Sequence, residues 1–263
     1  MSVVLQISDT HFGTEQPQVV EALVGLAMQQ RPDLVVLSGD ITQRARPAQF
    51  RAARAFVDRL GAPALAIPGN HDIALFDLWS RLMRPYAHHV SAFGQDLEPV
   101  HATDELLVIG VNTTRPWRHK HGEVSSAQIE RVAALLHTAH PRQLRVVMVH
   151  QPVAVTLASD RANLLRGHAA ALQRWAAAGA DLVMGGHIHL PYAQPLPGLA
   201  RALWAVQAGT AVSSRVRPRV PNSVNLLRWE PAQGHCDIEQ WDYSAAAGAF
   251  VRAKVTSLRP ARD

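Results

Sequence analysis

Residues 34–40 read Leu-Val-Val-Leu-Ser-Gly-Asp: an unbroken apolar run, a glycine where the chain can bend, then a carboxylate. A short run with no polar alternation suits a strand covered on both faces. The same pattern comes before it, where Val3 to Ile7 leads into Asp9-Thr10-His11, and after it, where Ala64 to Ile67 leads into Gly69-Asn70-His71-Asp72. The intervening stretches carry apolar residues at three- and four-residue spacing: Val19, Val20, Leu23, Leu26 and Ala27, then Phe50, Ala53, Phe56, Val57 and Leu60. This β-α-β-α-β opening predicts a largely parallel sheet with helices on its faces and functional groups at the carboxyl ends of the strands.

Beyond Ile73 the periodicity weakens, and residues 73–105, with Trp79, Tyr86, His88 and His89, read as a cap-like insertion. The strand pattern resumes at Leu106 to Val111 and is followed by a polar loop from Asn112 to Gly122. A helix is expected from Ser126, since Ser125 and Gln128 have capping-box spacing. Arg145 to Val149 then delivers His150, a helix over Ala169 to Ala178 stops at Gly179, and Leu182 to Met184 delivers Gly185-Gly186-His187-Ile188-His189. From Leu203 onward the chain reads as strands, including Ser223 to Trp229 and Cys236 to Tyr243, which predicts a second, more antiparallel sheet. One domain over residues 1–263 is expected.

With 263 residues, 48% of them hydrophobic, the chain can bury a sizeable core. The single Cys236 rules out an internal disulfide and a paired-cysteine zinc site, so metal binding falls to histidine and carboxylate. No apolar run approaches the roughly 20 residues of a membrane helix, and Met1 to Ile7 runs straight into the first motif without a signal-like region; a cytoplasmic protein without membrane contact is expected. The net charge of +5 favours anionic partners, but the arginines are dispersed and form no basic stripe, so a nucleic-acid surface is not expected.

Asp9, Asp40 and Asn70 offer hard oxygens, and His11, His150, His187 and His189 offer imidazoles, the mixture that adjacent divalent first-row metals prefer. Asp9 and His11, like His187 and His189, alternate, so in extended chain each pair points to one side. Asp40 has two oxygens and can bridge two cations. In Gly69-Asn70-His71-Asp72, Asn70 can ligate, His71 is free to meet a substrate oxygen, and Asp72 can orient that imidazole. Each island taken singly is a common turn or helix cap; their joint order carries the weight. Of the other histidines, His137, His140, His168 and His235 read as surface or structural, whereas His88, His89, His101, His119 and His121 lie where substrate contact is open. Arg115, Arg118, His119 and Lys120, or Arg215, Arg217 and Arg219, could grip a phosphate, though solvated loop arginines are the plainer reading.

The order Asp-x-His, Gly-Asp, Gly-Asn-His-Asp, His, Gly-His-x-His over residues 9 to 189 resembles the calcineurin-like metallophosphoesterase family, and within it the bacterial class III cyclic-nucleotide phosphodiesterases. The resemblance implies an α/β fold, a four-layer α/β/β/α sandwich of two mixed sheets with two metal ions between them. It implies that Asp9, His11, Asp40 and His189 hold the first metal, that Asp40, Asn70, His150 and His187 hold the second, and that His71 is the catalytic histidine. Two such cations lower the pKa of a shared water and favour in-line attack of a bridging hydroxide on a phosphodiester. Manganese, iron, zinc and cobalt all suit these ligands. The expected partner is a small-molecule phosphate ester, with cyclic AMP leading. A phosphomonoesterase or a nucleotide-linked pyrophosphohydrolase of the UDP-diacylglucosamine type is the alternative, and a homodimer is an open assembly.

Overall fold

The computed structural model describes residues 1–75 and 78–261; Phe76 and Asp77, inside the 73–105 stretch, and Arg262 and Asp263 lie outside the described residues. The first part of the chain forms β1 (Ser2–Ile7), α1 (Pro17–Gln30), β2 (Leu34–Ser38), α2 (Pro47–Asp58) and β3 (Ala64–Ile67). There follow α3 (Leu78–Met83), α4 (Ala87–Phe93), β4 (Val100–Ala102), β5 (Leu106–Gly110), α5 (Ser126–His137) and β6 (Leu144–Met148). The remainder comprises α6 (His168–Ala177), β7 (Leu182–Gly185), β8 (Tyr192–Pro195), β9 (Trp204–Gln207), β10 (Ser223–Glu230), β11 (His235–Ser244) and β12 (Ala249–Leu258).

Among the described residues two six-stranded sheets form, ordered β12-β11-β10-β1-β2-β3 and β4-β5-β6-β7-β9-β8. The alternation within β1 sets the layers. Val3, Leu5 and Ile7 face α1 and α2, packing with Leu23, Ala53 and Val57, while Val4 points the other way into a core shared by both sheets. That shared core gathers Val36 and Ile67 against Val108, Val146, Met148 and Met184. On the far side, Ile109, Val147 and Val183 meet Ile129, Val132 and Trp175 of α5 and α6. The result is the four-layer α/β/β/α sandwich of two mixed sheets. The α5 start is the expected capping box, with the Gln128 N–H donating to Ser125 Oγ at 3.2 Å.

The tail departs from its expected placement. Instead of building a separate antiparallel sheet, β10 pairs antiparallel with β1, Val4 opposite Leu227, and β11 and β12 extend the first sheet outward. An unpaired β1 edge would leave a row of backbone donors and acceptors open, and β10, buried at Leu226, Leu227 and Trp229, closes it. The second sheet comes from the middle of the chain, with β5, β6, β7 and β9 parallel.

Residues 73–105 contribute α3, α4 and β4; β4 pairs antiparallel with β5, and α4 lies on α2. His89, placed among the histidines open to substrate, is instead fully buried, edge-on to Phe50 and beside Phe93. No described helix is long and apolar enough to cross a membrane.

Both ring nitrogens of His89 lack a hydrogen-bond partner, and burial pushes its pKa down to about 4. Between that value and the ordinary imidazole range the unfolded chain binds a proton that the folded chain refuses. Stability is therefore full above the window and falls by roughly 3 kcal/mol as pH drops through it. His89→Leu removes both the titration and the unpaired nitrogens. Urea midpoints of the variant between pH 7 and pH 4 are expected to lie above those of the parent and to vary less with pH.

Candidate metal centre

The exits of β1, β2, β3, β6 and β7 deliver the sequence islands to one end of the cleft between the sheets. This convergence follows from the parallel register, which turns the carboxyl ends of these strands the same way. Among the described residues three groups form with ligand atoms within 4.8 Å of one another: Asp9, His11 and His189; His11, Asp40 and His71; and Asp40, His150 and His187. Asp9 Oδ1 stands 3.2 Å from His189 Nε2 and 3.8 Å from His11 Nε2. Asp40 Oδ2 lies 3.8 Å from the same His11 atom, and Asp40 Oδ1 is 3.2 Å from His150 Nε2. Asn70 joins through Oδ1, 3.3 Å from His150 Nε2.

The backbone reaches this arrangement by left-handed turns. Asp9, His11, Asp40, His187 and His189 have φ of 52°, 41°, 50°, 74° and 55°. The alternation expected of extended Asp9-Thr10-His11 and His187-Ile188-His189 is therefore absent. Asp9 and His11 still converge, but the second pair splits, His189 going to Asp9 and His187 to Asp40 and His150. Left-handed backbone costs a non-glycine residue about 1–3 kcal/mol, so the surrounding bonds must hold it. Those bonds include Asp9 N–H to the Gly39 carbonyl and His11 N–H to the Asp40 carbonyl, at 3.1 and 3.0 Å.

Orientation is fixed from behind. His150 Nδ1 donates to the Ser38 carbonyl at 2.8 Å, and His189 Nδ1 to the Arg215 carbonyl, so each ring presents Nε2 to the cleft. Asp9 Oδ2 accepts from Ser8 Oγ at 2.7 Å and from the His187 N–H at 2.9 Å. Asp9 Oδ1, His11 Nδ1 and both nitrogens of His187 are buried without a hydrogen-bond partner. Orphaned buried atoms of this kind are rare, and a mixed oxygen and imidazole set facing one cavity fits divalent transition metals.

Burial works against charge on Asp9 and Asp40. The imidazoles of His189 and His150 beside them outweigh it and hold both carboxyls below the usual range. Burial likewise opposes charge on His150, but Asp40 raises its pKa to about 9, and Asp9 raises that of His189. Without such a dominant partner, burial takes His11 and His187 down to about 3.

Asp72 does not orient the His71 ring. Its carboxylate accepts from the backbone N–H groups of Ile41, Thr42 and Gly69 and from Thr42 Oγ1, at 2.8 to 3.0 Å, stapling two loops together. These bonds occupy both oxygens. The Gln43 carbonyl orients His71 instead, 3.0 Å from Nδ1. Burial and the neighbouring Asp40 push the Asp72 carboxyl up to about 6. Sequence reading also passed over Thr210, whose Oγ1 lies 2.8 Å from His189 Nδ1, and it could not single out Arg215 among seven basic loop residues.

Residues 2–191 match the model of the calcineurin-like phosphoesterase family, and the chain belongs to this family. It is 27% identical over 202 residues to a cAMP/cGMP dual specificity phosphodiesterase of Mycobacterium tuberculosis, covering 71% of this chain and 61% of that one. It is 31% identical over 164 residues to a glycerophosphodiester phosphodiesterase of Enterobacter lignolyticus, covering 56% of each. The chain thus spans about six-tenths of the length of the curated relatives it matches. A dimetal phosphatase from Danio rerio superposes with a TM-score of 0.71 at 14% identity, covering 99% of both chains. A purple acid phosphatase from yellow lupin gives 0.73 at 12%, covering 97% of this chain and 53% of the other. At these identities the structural likeness speaks for the fold.

The packing at Gly186 yields a test. A Cβ there would lie 1.9 Å from Ser8 Oγ and 2.6 Å from Asp9 Oδ2. Gly186→Ala must therefore push Asp9 or the His187 backbone aside. Thermal melts with and without manganese are expected to show a metal-induced rise in Tm for the parent and little or none for the variant.

Proposed function

We propose that this chain hydrolyses phosphodiester bonds with two divalent transition metal ions, and that a cyclic nucleotide such as cyclic AMP is its leading small substrate. The observation that carries this reading is the position of Asp40, common to two of the three ligand groups, with one oxygen toward His11 and the other toward His150. A carboxylate so placed suits a bridge between two ions a few ångströms apart. Asp9, His11, Asp40 and His189 would hold one ion, and Asp40, Asn70, His150 and His187 the other. When bound, the pair supplies Lewis-acid charge to the phosphoryl oxygens and acidifies a shared water.

The remaining work falls to the chain. His71, half-buried and edge-on to His11 at 4.8 Å between ring centroids, donates from Nδ1 to the Gln43 carbonyl, which turns Nε2, 3.2 Å from Arg215 Nη1, toward the leaving oxygen. A second ring proton, carried on Nε2 and passed to that oxygen as the ester bond breaks, offsets the charge there and leaves the imidazole neutral. The phosphodiesterase names of the relatives support a diester over a monoester. The proposed setting is the cytoplasm, where the buried Cys236 stays a thiol.

Two variants separate binding from turnover. His71→Ala is expected to keep its metal and lose at least a hundredfold in kcat, whereas Asp40→Ala loses both, as elemental analysis and turnover of bis-p-nitrophenyl phosphate will show. A clear preference for p-nitrophenyl phosphate over bis-p-nitrophenyl phosphate, cyclic AMP and a glycerophosphodiester would overturn the diester reading. Asp40 raises the pKa of His150 to about 9 and a ligating imidazole must be neutral, so metal uptake at pH 7 is expected to release protons. Calorimetry in buffers of different ionisation enthalpy should register that release, and metal affinity should climb as pH rises from 7 toward 9.

A further inference from the structure

The loop Ser213-Ser214-Arg215-Val216-Arg217-Pro218-Arg219 follows β9 and carries three cations. Their surroundings tell them apart. Arg217 grips the buried Asp160 with two bonds, at 2.8 and 3.2 Å, and donates to the Ile188 carbonyl at 3.1 Å. Arg219 is exposed. Arg215 is half-buried, with Nη1 2.9 Å from Gln43 Oε1, 3.2 Å from His71 Nε2 and 3.4 Å from His71 Nδ1. Among the described residues its guanidinium has no carboxylate partner, unlike Arg118, which pairs with Glu123. Arg115 is capped by the carbonyls of Asn112 and Thr114 and by Gln128 Oε1.

The main chain of Arg215 is tied to the same centre, since its carbonyl accepts from His189 Nδ1 and from Thr210 Oγ1. A half-buried guanidinium at a site built for phosphate, answered only by an amide oxygen and an imidazole, has free capacity for an anion, and its planar fork suits phosphoryl oxygens.

We propose that Arg215 binds the non-bridging phosphoryl oxygens of the substrate beside His71, and that the Arg217–Asp160 pair is a positioning pair that holds its loop in place. The assignment rests on the phosphoesterase reading above. Arg215→Ala keeps the backbone carbonyl that orients His189, so metal content should match that of the parent. On metal-loaded protein, kcat/KM for bis-p-nitrophenyl phosphate should fall on the order of 10- to 100-fold, mainly through KM, as expected for loss of a charge-assisted hydrogen bond. Inorganic phosphate, titrated by calorimetry, should weaken by a similar factor. Arg215→Lys should recover part of both, and Asp160→Asn should move KM and phosphate affinity the same way by a smaller factor.

Unchanged phosphate affinity and KM in fully metallated Arg215→Ala would overturn the assignment, as would failure of the metal-loaded parent to bind phosphate. A parent that binds metal and phosphate but cleaves no diester would sink the reading of function, while the phosphate titrations would still decide the role of Arg215.

Discussion

Two buried carboxylates, Asp9 and Asp40, face a ring of imidazoles where the two sheets meet, and the surrounding structure is organised to keep that concentration of charge in place. Neither carboxylate could stay ionised in an apolar interior alone. His189 and His150 answer them, and the unpartnered atoms of Asp9, His11 and His187 face the space where a cation would complete the set. The left-handed backbone at five of these positions is strain carried at the site and held by the two sheets and the packed helices behind them. Asp72 serves this geometry by joining the β2 and β3 exit loops.

The sequence was most legible where burial is complete on both faces. Strands β1, β2, β3, β5, β6 and β7 read as continuous apolar runs, and each was found within a residue or so of its bounds. The short β4 and β8, and the largely exposed β12, carry too little apolar signal to be read. Where the tail would go was illegible for another reason: periodicity shows that Ser223 to Trp229 is a strand but not which edge it seeks, and the free flank of β1 exists only after folding. Within the candidate site, residue types pointed to the carboxylates, Asn70 and the imidazoles that the fold brings together, but not to Thr210 or to the Gln43 carbonyl behind His71. Conformation was beyond reach, because alternation presumes extended chain and the turns at His187 and His189 are not extended.

The loop cations show the same limit. Arg115, Arg118, Arg215 and Arg217 are equivalent as letters, and what separates them is which acceptors hold the guanidinium: a carboxylate for Arg118 and Arg217, two carbonyls and Gln128 for Arg115, one amide oxygen and the His71 ring for Arg215. The match to the family covers residues 2–191, which includes every candidate ligand, while Arg215 lies beyond it. In this chain the shared segment thus holds the candidate metal chemistry, and the region after it supplies the Arg215 guanidinium beside His71.

The pairing of β1 with β10 also bears on the order in which the molecule can be assembled. During synthesis the residues from Asp9 to His189 emerge from the ribosome before Ser223 to Glu230, so the strand that leads into Asp9 waits, one flank open, until the late segment arrives. A nascent chain can make its local helices early, but its cleft has no finished wall. The candidate metal centre would therefore be completed only late in synthesis, and a chain ending before Ser223 would leave the β1 edge unpaired.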